Sequence, residues 1–135
     1  MVFGLCVTPN GSSSYCELED VSDVGASVIG YPVQVDLARP DAVAWLDEEG
    51  QASSRPINYF AARIMSTLRG GASIATGDQP CGNVLFLGCD QTTGDIADVP
   101  QDIIALAQRL HQAAIPSMSS WQDLPGTVPS TKKQK

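Results

Sequence analysis

Three consecutive carboxylates, Asp47-Glu48-Glu49, stand before Gly50, and Ser53, Ser54, Arg55 and Asn58 follow closely. Alternate side chains at a strand end share one side, so Asp47 and Glu49 could together bind a cation or act as an acid–base pair. The same residues also make an ordinary turn, with Gly50 free to adopt a positive φ. The alternating acids of a calcium loop are absent. The turn is the simpler reading: Glu48, Glu49 and Gly50 end a strand and position the helix after it. No metal site and no catalytic residue are assigned here.

The four polar residues that follow suit a different chemistry. Free N–H groups and the positive dipole end at a helix start favour an anion. Ser54, Arg55 and Asn58 gather where a helix is expected to begin, and Arg63 adds a second cation in an acidic chain. These four form a candidate pocket for a small anionic, nucleotide-like ligand, although helix capping alone accounts for the serines. The glycine-containing stretch GGASIATGDQPCGN (70–83) does not make a phosphate loop. It lacks the Lys-Ser/Thr pair and leads into a strand rather than a helix. It reads as a connection that could cover a ligand. The single histidine, His111, has no partner at metal-binding spacing and suits a helix C-terminus. Cys6, Cys16, Cys81 and Cys89 include no C-x-x-C pair and read as four isolated buried thiols. No cofactor is expected.

These groups must be carried by a compact scaffold. VFGLCV (2–7) and SYCEL (14–18) read as two strands joined by a Pro-Asn-Gly turn. DVSDVGASVIG (20–30) predicts a short helix with Asp20 as cap, Asp23 at the capping-box position and Gly30 as its stop. YPVQVDL (31–37) and DAVAWLDEE (41–49) alternate as strands. PINYFAARIMSTLRGG (56–71) has Ile57, Phe60, Ala61, Ile64, Met65 and Leu68 at helical spacing, with Ser53 or Ser54 as cap and Pro56 in the first turn. CGNVLFLGCD (81–90) is continuously apolar, as a central strand buried on both faces would be. From Asp98 to about residue 114 a last helix is expected. The fold class is therefore α+β: a small, mostly antiparallel sheet with two longer helices and one short one.

At 135 residues and 43% hydrophobic content, the chain can bury a real core. No apolar run is long enough to span a bilayer, so no membrane association is expected. The start lacks a basic leader, which places the expectation in the cytoplasm. The net charge is −7, yet all three lysines fall within the last four residues. Residues 1–130 hold fifteen acids against five arginines, a balance of −10. Such a body repels nucleic-acid backbone, so direct nucleic-acid binding is not expected, and mimicry of DNA charge would need longer acidic arrays. One domain is expected over residues 1–115, followed by a C-terminal tail over 116–135. In that tail Met118, Trp121 and Leu124 are spaced by three and form a candidate partner-binding segment. An exposed sheet edge would permit a homodimer.

The order VIGYPVQVDL, AWLDEEGQASSRPINYFAARI and GNVLFLG, across about residues 2–105, resembles a family of small uncharacterised domains of phages, plasmids and their bacterial hosts. That family has an N-E-E-G turn, an L-P-x-N-x-x-A segment and a G-N-V-V-V-V-G strand. The chain keeps Glu48, Glu49, Gly50, Asn58 and Ala61 but has Asp47 in place of asparagine. The resemblance implies an accessory protein of a mobile element acting in the host cell. With no nucleophile–base set legible, the expectation is a non-enzymatic protein that engages or inhibits a host protein. The alternative is a binder that sequesters a nucleotide-like anion, and a weaker one is a hydrolase using Glu48 or Glu49.

Overall fold

The computed structural model describes residues 1–49, 55–70 and 79–119, with side chains as far as Gln112. Residues 1–104 form one compact unit, and a second begins at Ala105. The first unit holds the sheet: β1 (Val2–Val7), β2 (Ser13–Leu18), β3 (Pro32–Asp36), β4 (Ala42–Asp47), β5 (Val84–Cys89) and β6 (Ile96–Ala97). Its order is β2-β1-β5-β4-β3, with β6 added beside β5, and every pairing is antiparallel. A single 3-10 turn (Val21–Asp23) leads into α1 (Val24–Val28); α2 spans Tyr59–Leu68 and α3 Gln101–Ser119. The protein is thus a small α+β fold with an antiparallel sheet, two longer helices and one short one.

Local chemistry explains the order of elements. The β1–β2 turn closes through Thr8, whose N–H donates to Ser12 O at 2.9 Å, and through Gly11 at φ +91°. Asp20 accepts from Ser22 N while Asp23 returns to the Asp20 N–H, completing the expected capping box. β5 is central, and Val84, Leu85, Phe86 and Leu87 are all fully buried. One face of the sheet packs Cys6, Leu18, Trp45, Leu85 and Leu87 against Val24 and Val28 of the 3-10/α1 segment. Strand alternation turns Leu5, Val7, Ala42, Ala44, Val84 and Phe86 the other way, and these too are buried. Ala61, Ile64 and Met65 of α2 and Ile103 in the first turn of α3 are among the buried apolar residues of the helices. Each large side chain so buried contributes about 1.5–3 kcal/mol.

Three details differ from expectation. The left-handed residue that ends α1 is Ile29, at φ 57°, not Gly30. The cap of α2 is Asn58 rather than Ser53 or Ser54, so the helix starts at Tyr59 and Pro56 lies before it. α3 continues through Pro116 to Ser119, past the expected end near residue 114.

Two features hold the ends of the sheet. At the outer edge, Glu48 N donates to Tyr31 O at 2.8 Å, which turns residues 31, 33 and 35 toward β4. Pro32, one residue on, therefore directs its nitrogen outward, where no donor is needed. Near the other end of β4, Arg39 forks onto Asp41 at 2.6 and 2.8 Å and reaches Asp102 in the first turn of α3 at 2.6 Å. Hydrogen bonding to Arg39 holds both carboxyls below the usual aspartate range and raises the guanidinium.

Candidate functional site

The corner expected to bind an anion has a structural occupation. Asp47 is the last residue of β4 and only 3% exposed. Its Oδ1 accepts from Tyr31 N at 3.1 Å and from Glu49 N at 3.2 Å, while Oδ2 lies 3.4 Å from Arg55 Nε. The carboxyl fits because residue 30 is glycine: a Cβ there would come within 2.4 Å of it. Arg55 also donates to Val28 O and Ile29 O, the carbonyls that α1 leaves unpaired at its end. Asn58 is fully buried. Its Oδ1 accepts from Ala61 N at 3.0 Å, and its Nδ2 donates to Val7 O and Gly82 O, each at 2.8 Å. The chain before α2 is zipped to the chain before β5 by Asn58 N to Pro80 O and Gly82 N to Pro56 O.

The structure therefore brings Asp47, Arg55 and Asn58 into one region, and their polar atoms serve the protein's own main chain. An anion at this corner would compete with Asp47 for the Arg55 guanidinium. Arg63 sits on the exposed face of α2, where its carbonyl accepts from Thr67. Glu48 and Glu49 are exposed turn residues and Gly50 lies outside the described residues, as does Ser54. Met118 belongs to the part of α3 whose side chains are not described; Trp121 and Leu124 fall beyond the described residues. Among the described residues, no three His, Cys, Asp or Glu side chains gather as a metal site, and no helix is long and apolar enough to cross a membrane.

A second region was not anticipated from the sequence. Phe3, Tyr15, Asp98, Val99, Gln101 and Ile104 line an open groove of about 330 Å³. The register explains it. Leu5 pairs with Tyr15 and Phe3 with Glu17, so all four side chains share one face of the β1–β2 hairpin. The chain leaving β6 then runs beside Phe3. Phe3 N donates to Asp98 Oδ1 at 2.9 Å, and Val99 N donates to Phe3 O at 2.9 Å. Gly88 permits this approach, because a Cβ there would lie 2.1 Å from Asp98 O. α3 begins immediately after and adds Gln101 and Ile104.

The groove has an apolar floor and an acidic rim. Phe3 is 44% and Tyr15 60% exposed, and they lie together on one face of the hairpin rather than singly. Asp98 lies in the groove, Glu17 flanks it on β2, and both are exposed. Such a surface can take the aliphatic stem of a basic side chain, hold its head near carboxylate, and stack it on an aromatic ring. The signal available in sequence was the alternation in VFGLCV and SYCEL, which marks Phe3 and Tyr15 as sharing a parity without saying which face is open. No family model, curated protein or solved structure matches this chain.

Proposed function

We propose that the protein is a non-enzymatic binding module that engages a basic segment of a partner protein through the Phe3–Tyr15–Ile104 groove. The carrying observation is the groove itself: two exposed aromatic rings over apolar side chains, bordered by Asp98 and Glu17, on a body with an excess of acids. An Arg- or Lys-bearing peptide complements that charge, whereas an acidic or nucleic-acid partner is repelled. The resemblance to small phage and plasmid domains supports placing the partner among host proteins, with diversion or inhibition of that protein as the outcome.

The test is fluorescence anisotropy with two labelled peptides, one carrying an aromatic residue among arginines and the other its acidic counterpart. The basic peptide should bind, and its affinity should weaken as salt rises. Tyr15→Ala should reduce that affinity about tenfold, the loss of one aromatic contact of roughly 1–2 kcal/mol. Equal binding of both peptides, or an unchanged affinity in Tyr15→Ala, would remove the groove from the account.

A further inference from the structure

Two of the four thiols are not isolated. Cys6 pairs with Ser14 and Gly4 with Cys16, so Cys6 and Cys16 are diagonal neighbours on the same face of β1 and β2. Cys16 packs against the core cluster that contains Cys6. The residue directly opposite Cys16 is Gly4, so no side chain from that position intervenes. Both cysteines are free thiols.

We propose that Cys6 and Cys16 form a reversible disulfide that staples the edge strand β2 to β1. A diagonal pair ordinarily spans about 7–8 Å between Cα atoms, slightly more than the roughly 4.4–6.8 Å of a disulfide. Closure therefore needs a small inward shift, and β2 can supply it because it is bonded on one side only. The shift strains the bond, which makes it readily reducible and suits a switch better than a permanent brace. The oxidant is a low-molecular-weight disulfide such as oxidised glutathione. The partly exposed Cys16 thiolate attacks one of its sulfurs and releases the first glutathione thiolate. Cys6 then loses its proton to solvent and attacks Cys16 Sγ, expelling the second. Two protein thiols become one disulfide, and one oxidised glutathione becomes two reduced.

The order of attack follows from burial. Burial, assisted by the adjacent Cys16 thiol, pushes the Cys6 thiol up to about 12. Cys6 is therefore the resolving thiol, and its step should quicken about tenfold per pH unit between neutral and mildly alkaline pH. On its opposite face β2 carries Tyr15 and Glu17, so the staple fixes the strand that borders the groove. The disulfide stands or falls independently of what that groove binds.

The experiment equilibrates the full-length chain with increasing ratios of oxidised to reduced glutathione, then denatures it, alkylates it and digests it with trypsin. Residues 1–63 contain Cys6 and Cys16 and form one tryptic peptide, because Arg39 and Arg55 each precede proline, whereas Cys81 and Cys89 lie together within 70–109. Peptide 1–63 should become two hydrogens lighter and refuse alkylation while peptide 70–109 still accepts two groups. Cys6→Ser should instead accumulate a glutathione adduct on Cys16. Full alkylation of peptide 1–63 at the highest oxidant ratio would overturn the proposal. So would a persistent glutathione adduct on the unmodified chain, or a bridge formed only after denaturant is added.

Discussion

Asn58 makes three side-chain hydrogen bonds to main chain from three separate segments: β1, the start of α2 and the approach to β5. Removing it takes one hydrogen-bond partner from each of two carbonyls and one N–H, at about 1–3 kcal/mol each where neither water nor another group replaces the bond. Asn58→Ala should therefore lower unfolding free energy by about 3–4 kcal/mol, allowing for partial rehydration. Chemical denaturation would measure it, and a loss below about 1 kcal/mol would show that the site rehydrates freely. Asn58→Asp should fare no better, since a carboxylate offers no donor to Val7 O or Gly82 O. Sequence reading singled out Asn58 and Arg55 as polar residues gathered at the start of a helix. It could not choose between a ligand and the protein's own carbonyls as their partners. That choice depends on contacts across the 51 residues from Val7 to Asn58 and the 26 from Ile29 to Arg55, which no local pattern encodes.

Most elements were legible because each carries its own periodicity or stop signal. The alternation in β3 and β4, the helical spacing in α2 and the unbroken apolar run of β5 all appear where expected. The two-residue strand β6 was missed, since two residues hold no period. Its existence depends on Gly88, where the absent side chain lets β6 and Asp98 close on β5. Gly88→Ala should force the strands apart at a cost of about 1–3 kcal/mol, as for other overpacked positions. Because Asp98 and Val99 hold Phe3 through its main chain, the same variant should weaken peptide binding at the groove more than Gln91→Ala at an exposed turn position. Anisotropy and thermal unfolding measured on both variants would decide this. Equal stability and affinity in the two would detach the groove from β6. The end of α1 was misplaced for a related reason. Glycine at 30 looked like a helix stop, but close approach by Asp47 uses it, and Ile29 takes the left-handed turn instead.

At the scale of the whole molecule, ion pairing of the acidic side chains shapes the pH response. Asp41 and Asp102 are held below the ordinary aspartate value of 3.8 by Arg39. A carboxyl with a lowered folded-state pKa contributes stability above its unfolded value and loses that contribution as pH falls through the folded one. The Arg39 bridge should therefore stabilise the protein fully at neutral pH and fade below about pH 4. The Asp102 side chain is 61% exposed, so solvent screens much of the interaction. Asp102→Asn should cost about 0.5–1 kcal/mol at pH 7 and almost nothing near pH 2, where the original carboxyl is also neutral. A difference that grew on acidification would contradict the assignment of Arg39 as its partner.

The seat of the Asp47 carboxyl on the bare Cα of Gly30 also has a historical meaning. The two positions cannot drift independently, because any side chain at 30 collides with the acid at 47. Descendants of this chain can cross to a new pair of residues by one order of steps only: position 47 shrinks or moves first, and position 30 is then released to vary. A lineage that keeps the aspartate inherits the glycine with it. The pairing thus works as a ratchet on the paths open to this sequence.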